Sequence, residues 1–360
     1  MTSNQKTRVP VTPGAMETLR LPADVHISPD GQRVVYIVME PVIDQPKRQG
    51  RIWVVDIFGG EPQPLTKGPG EDSYPRWSPD NQQIAFISKS KGEGSKGKAQ
   101  LYMMLAQGGE ARQVCTMPNG VSELEWSPDG TRIAFLSLEG EEPKSDPRVI
   151  TPNRHQRLWT IPPGYDIPEP VTPGDLTVWE YAWSPDSQHI ALYYSTGPDD
   201  TDWYRGQIGV VPAGGGAVRQ LTHLTRQASA LTWSPDGTRL AYISGEWSDL
   251  GRGGGDIFVL SLTGNDAEPR NLTPGIAFSP AWCRWFPDGQ RLLYTGWDGL
   301  TQQIGILSEN DGTITTLVKD FVMSVFWPAL STTADLRYFA TFHATQQHPS
   351  DVWSGEIITG

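Results

Sequence analysis

Short apolar runs recur along the chain, separated by polar, turn-forming clusters. Ile84-Ala85-Phe86-Ile87, Ile133-Ala134-Phe135-Leu136 and Leu240-Ala241-Tyr242-Ile243 are rich in β-branched and aromatic residues. Their shortness selects strand over helix, and near-continuous apolarity implies a strand covered on both faces. One turn phrase precedes these runs. It reads Ser28-Pro29-Asp30-Gly31, Trp77-Ser78-Pro79-Asp80, Trp126-Ser127-Pro128-Asp129-Gly130, Trp183-Ser184-Pro185-Asp186, Trp233-Ser234-Pro235-Asp236-Gly237 and, altered, Trp285-Phe286-Pro287-Asp288-Gly289. Proline presets the first central torsion of a type I turn, Asp tolerates the second and Gly closes it.

The period, roughly fifty residues, is that of a propeller blade. A strand ending in Trp precedes the turn and the apolar strand follows it. A third strand comes next, as in Arg51–Asp56 and Asp256–Leu260, then a short fourth typically ending Leu-Thr, as at Leu65-Thr66, Leu221-Thr222 and Leu272-Thr273. The sequence therefore predicts an all-β, seven-bladed β-propeller of four-stranded antiparallel blades, a single domain over residues 1–360. The blades are expected to start near residues 26, 74, 123, 179, 229, 281 and 323. A β-sandwich of similar strand count would not repeat one phrase at fixed spacing.

The seventh copy reads from Trp327-Pro328 through Arg337-Tyr338-Phe339-Ala340-Thr341-Phe342, with its third and last strand near Asp351-Val352-Trp353. Residues 1–25 offer two ways to complete it. Arg8-Val9-Pro10-Val11-Thr12-Pro13-Gly14 resembles the ends of other fourth strands, such as Val171-Thr172-Pro173-Gly174, and would latch the ring. Alternatively Thr12 caps a short helix that opens at Pro13 and runs through Met16 and Leu19.

Composition narrows the partners. The 38 Gly, 31 Pro and 14 Trp fit a turn-dense repeat, and a formal net charge of -12 argues against nucleic acid. Cys115 and Cys283, the only two cysteines, suggest neither a disulfide framework nor a zinc site. The start, MTSNQKTRVPVTPG, has no apolar core of the signal-peptide kind, and no segment approaches the ~20 apolar residues of a membrane span. The expectation is a cytoplasmic protein with no membrane partner.

Catalytic chemistry is not legible. The six histidines, His26, His155, His189, His223, His343 and His348, show no metal-ligand spacing, and Gly251–Gly255 lack the pattern of a phosphate loop. No Gly-x-Ser-x-Gly occurs, so no exposed nucleophilic serine is assigned. No catalytic residue, metal or cofactor is expected. The recurrent Trp residues read as packing between blades, so departures from the repeat are the better candidates for binding. Glu246, Trp247, Asp249 and Arg252 fall in one irregular connection between second and third strands, and Asp202, Trp203 and Tyr204 in the one before it. Acids, Arg and aromatics in long loops suit contact with a substrate terminus or a partner, although such loops are also commonly just solvated.

Ser-Pro-Asp-Gly repeats of this kind resemble TolB-like propellers and the N-terminal propellers of the prolyl oligopeptidase family of serine peptidases. The stretch Ile243-Ser244-Gly245-Glu246-Trp247-Ser248-Asp249, through Gly251–Gly255 to Pro269-Arg270-Asn271-Leu272-Thr273-Pro274-Gly275, is similar to a blade of the acylaminoacyl-peptidase-like branch. So are Asp146-Pro147-Arg148-Val149-Ile150 and His348-Pro349-Ser350-Asp351-Val352-Trp353. In that family an α/β-hydrolase domain follows the propeller, which covers the active site and admits short peptides. The resemblance implies an α/β-hydrolase partner, in cis in a longer chain or in trans, and short peptides as ligands. The alternative it leaves is a stand-alone TolB-like interaction scaffold.

Overall fold

The computed structural model describes residues 12, 14, 18–42, 47–68, 70–89, 97–140, 154–247, 254–263, 268–322, 329–345 and 348–358. They form seven antiparallel sheets arranged as a seven-bladed propeller. Blades 1 to 6 have four strands each and span residues 21–64, 71–113, 122–170, 177–220, 227–271 and 279–321. Blade 7, residues 331–356, has three strands among the described residues. Its first described strand starts at Ser331; residues 323–328, where the start of this blade is expected, lie outside the described residues, and the first strand of blade 1 starts at Leu21. Of the proposed latch, residues 8–11 and 13 lie outside the described residues. Thr12 is exposed and Gly14 has helical backbone, while residues 13 and 15–17 of the helical alternative also lie outside the described residues.

The turn phrase works through its hydroxyl and carboxylate together. Ser28 Oγ donates to Asp30 Oδ1 and accepts from the Arg33 N–H at 2.9 Å. The same pair of bonds recurs at Ser78, Ser127, Ser184 and Ser234. Blade 7 builds it from Thr333 and Asp335, with Thr333 Oγ1 donating at 2.6 Å and accepting from the Tyr338 N–H. Its turn is thus Thr333-Ala334-Asp335-Leu336, and Trp327-Pro328, where the sequence starts this copy, lies outside the described residues. Threonine supplies the same hydroxyl as serine, so the geometry survives the loss of the letters.

Trp at the end of the first strand joins neighbouring blades. The indole N–H of Trp77 donates to His26 O at 3.2 Å, Trp126 to Arg76 O at 3.2 Å, and Trp233 to Ala182 O at 3.0 Å. Each acceptor is on the first strand of the preceding blade. The second strands carry the core: Val34, Val35, Ile84, Ala85, Ile133–Leu136, Ile190–Leu192 and Leu240–Ile243 are buried almost completely. Blades covering both faces account for the unbroken apolarity of those runs.

The recurrent Leu-Thr has an equally local cause. Thr66, Thr172, Thr222 and Thr273 accept, through Oγ1, the N–H of Ile52, Leu158, Ile208 and Ile257 at 2.8–3.2 Å. Each hydroxyl satisfies a third-strand donor just where the two-residue fourth strand ends. Between blades 1 and 7 the Ile27 N–H donates to Ser331 Oγ at 2.9 Å, and Phe58 meets Tyr338 edge-on at 6.5 Å.

Candidate functional site

The first strands surround the ring axis, and their side-chain alternation decides what faces it. Taking the repeat Trp as reference, the residues one and three before it lie on one side. Those positions read His26 and Asp24 in blade 1 (before Ile27), Arg76 and Tyr74, Glu125 and Glu123, Ala182 and Glu180, Thr232 and Ala230, Arg284 and Trp282. All of them line two cavities of about 910 and 690 Å³ that share Tyr74, Arg76, Glu125 and Trp282 in their walls. The larger opens among Pro128, Pro185, Pro235 and Pro287 of the turn phrases. The smaller reaches Trp203, in a loop between second and third strands. The two meet on the axis of the ring.

A bulge aims the inner row. Pairing between first and second strands slips in blades 1 to 6. Asp24, Tyr74, Glu123 and Ala230, at equivalent places, have φ of 44°, 55°, 48° and 55°. Left-handed backbone at a non-glycine residue is costly and persists only where its surroundings hold it. Glu180 supplies one such restraint, its Oε2 and Oε1 accepting the Ala230 and Leu231 N–H groups of the next blade at 3.0 and 2.7 Å. The hydroxyl of Tyr181 donates to the Glu123 carbonyl and, at 3.1 Å, to Ala134 O. Bulges re-aim side chains, and here they turn charged groups toward the bore.

The bore is charged but incompletely paired. Arg76 Nη1 binds Asp24 Oδ1 at 2.9 Å. Burial works against the Arg76 cation, but Asp24 and its neighbours outweigh it and the pKa is raised. Arg284 donates to Thr332 Oγ1 at 2.9 Å, and burial lowers its pKa against the pull of Glu125. Burial, with Arg76 and Arg284 nearby, holds His26 well below the usual imidazole range. Burial and the neighbouring Glu125 push Glu123 up to about 7, although Arg76 opposes this. Burial also pushes Glu180 up to about 7 despite its two backbone bonds. Glu125 is reached by solvent inside the bore yet has protein on every side; the second fact dominates and raises its carboxyl. Asp24 Oδ2, His26 Nδ1 and Ser229 Oγ are buried with no hydrogen-bond partner. Among the described residues no cluster of three His, Cys, Asp or Glu side chains could hold a metal ion.

The residues singled out from the loops are divided. Trp203 and Trp247 are brought together, ring centroids 5.6 Å apart, and buried in the core between blades 4 and 5. The backbone N–H of Trp247 donates to Gln227 Oε1 at 2.9 Å, and its indole N–H to Gly254 O. Asp202, in the single-turn helix Asp200–Trp203 (α1), accepts the Asp199 N–H through Oδ2. Tyr204 packs edge-on against Trp203. Glu246 is exposed beside Arg226 at 3.5 Å. Asp249 and Arg252 lie outside the described residues. The charged bore was missed by reading only departures in loops. Its signal was present in the inward first-strand positions, where an apolar core would not place Arg76, Glu123, Glu125, Glu180 and Arg284.

Comparison with known proteins places this architecture. The TolB beta propeller domain model (PD40) matches residues 21–155. The peptidase YuxL of Bacillus subtilis is 35% identical over 81 residues, 22% of this chain and 12% of that protein. The Tol-Pal system protein TolB of Alcanivorax borkumensis is 34% identical over 104 residues, 29% of this chain and 22% of that one. The acylaminoacyl peptidase of Pyrococcus horikoshii superposes with a TM-score of 0.68 at 13% identity, covering 96% of this chain and 53% of that structure. This chain therefore spans about half the length of the solved peptidase and less of the curated relatives. Among the described residues no helix is long and apolar enough to cross a membrane. Residues 21–155 are thus similar to a TolB beta propeller domain, and the same turn and Trp geometry runs on beyond that segment.

Proposed function

We propose that this propeller is the gating and docking domain of an α/β-hydrolase-type serine peptidase of the cytoplasm, admitting short peptides to a nucleophile supplied by a hydrolase domain. That domain belongs either to the same longer chain or to a separate one. The observation that carries the reading is the superposition of 96% of this chain on about half of an acylaminoacyl peptidase. A bore lined by charged groups supports it, because such walls select ligands by charge while the ring limits their size. The division of labour is steric and electrostatic: the propeller restricts and orients, and bond cleavage occurs elsewhere. Glu246, Tyr204 and Asp202 belong to the loop face on which the smaller cavity opens, and in this reading they serve, together with Asp249 and Arg252, as partner contacts.

The test is capture of the protein from its native cells, followed by intact mass measurement and labelling with a fluorophosphonate serine-hydrolase probe. The expected result is a labelled species well above 39.7 kDa, or a labelled protein captured with this chain. An unlabelled 39.7 kDa species without a labelled companion would overturn the proposal. The similarity to TolB over 104 residues favours one other reading, an interaction scaffold. Capture of a non-hydrolase protein in stoichiometric amount would support that instead.

A further inference from the structure

The charges of the bore are sorted by depth. The residues three before the repeat Trp form one level, with carboxylates from Asp24, Glu123 and Glu180 and no base. The residues one before it form the other, with Arg76, Arg284 and His26 against the single carboxylate of Glu125. Each first strand runs from the loop face toward the Ser-Pro-Asp face. The acidic level is therefore nearer the loops, and the guanidinium level nearer the turn prolines. Two residues of strand separate the levels by roughly 6–7 Å.

Little inside the protein uses this separation. Asp24 and Arg76 pair with each other. Among the described residues, Glu123 has no hydrogen bond or ion pair through its carboxylate, and Arg284 has no carboxylate within 4.0 Å. Ser229 lines the acidic cavity beside Glu180, is 5% exposed, and has no partner for its hydroxyl. Buried polar atoms in native proteins are normally satisfied, so an orphan beside an open cavity marks a place for a ligand atom or water. Burial pushes Glu123 and Glu180 upward, with Glu125 adding to it in both, and an arriving cation would favour their charged forms.

We propose that the bore binds short peptides with both termini free and fixes their direction, ammonium at Glu123 and Glu180, carboxylate at Arg284. The charge separation of an extended dipeptide, about 3.3–3.6 Å per residue, matches the distance between levels. The wall also carries Trp179, Trp282 and Tyr74, which offer flat apolar surface to the side chains between the charged ends. This deepens the short-peptide reading above by naming which peptides the propeller itself retains.

The test uses the full chain without any hydrolase, so it does not depend on whether a hydrolase partner exists. Calorimetry would compare Ala-Ala with its N-acetyl, C-amide and doubly capped forms. The free dipeptide should bind, and each cap should weaken it about tenfold, as loss of one charged contact predicts. In E123Q the acetyl cap should lose its penalty while the amide cap keeps it; in R284Q the pattern should reverse. That crossed pattern is not produced by general damage to the fold. Equal binding of all four peptides, absence of binding at about 10 mM free dipeptide (weaker than a millimolar affinity), or caps insensitive to both variants would overturn the proposal.

Discussion

The turn side and the axial side of the same first strands are built on opposite rules. At the turn, Ser or Thr and Asp recur in every blade but the sixth, where Phe286 replaces the hydroxyl, with nearly the same bonds: the hydroxyl–carboxylate pair measures 2.5 Å at Ser78 and 2.6 Å at Thr333. The repeat Trp bonds across blades at Trp77, Trp126 and Trp233, whereas the indole N–H groups of Trp183 and Trp285 are buried without a partner. On the axis, equivalent positions carry Arg76, Glu125, Ala182, Thr232 and Arg284, no two neighbours alike. A position that must close every blade in the same way tolerates one chemistry. A position that faces water in the bore is free of that demand and can differ in each blade. The repeat therefore reports the fold, and the breaks in its inward register report the binding surface.

The largest effect should come from the repeated side. Trp77→Ala removes a nearly fully buried indole and its bond to His26 O, and should cost about 3–5 kcal/mol in urea unfolding. Ser234→Ala comes next. It orphans the buried Arg239 N–H and takes a donor from Asp236, whose pKa Ser234 and Thr238 hold down to about 2. Denaturant titration should show a loss of about 1–3 kcal/mol. Should either variant prove as stable as the parent, the turn and the indole would not be what holds the blades.

A pH titration sharpens the comparison from the axial side. Glu123 and Glu180 have folded pKa values of about 7 against an ordinary 4.5, so the folded state holds the extra protons. Their contribution is fully present below pH 4.5 and is lost as pH rises through 7. The unfolding midpoint should therefore fall between pH 5 and pH 8, and E123Q should make that fall shallower. A steeper fall in E123Q would contradict the burial of this carboxylate. The smallest effect belongs to the exposed loop: Glu246→Ala, 80% exposed at the side chain, should stay within about 0.5 kcal/mol in the same assay.

Much of this fold was readable from the letters because blade closure uses side chains that nothing else replaces well. Ser-Pro-Asp, Trp and Leu-Thr each perform one hydrogen-bonding task. Blade 7 lacks the Ser-Pro letters at its turn, yet Thr333 and Asp335 keep the bonds. The loops are less legible for a different reason. Trp203 and Trp247 look like surface contacts in a linear sequence, but two irregular loops from adjacent blades fold their indoles against each other. Pairing of that kind depends on which loops the ring brings side by side. The bore shows the same limit, because strand parity marks the inward residues but only ring closure brings Glu123, Glu180 and Arg284 around one axis.

The most direct test of this division between fold and binding is a paired measurement on E123Q at pH 8: its unfolding midpoint and its affinity for Ala-Ala. The account predicts a midpoint equal to or above that of the parent and an affinity reduced about tenfold, since Glu123 meets the bore and carries no internal bond through its carboxylate. A midpoint lowered by several degrees with peptide affinity intact would contradict it, making the inner row part of the framework like the turn beside it.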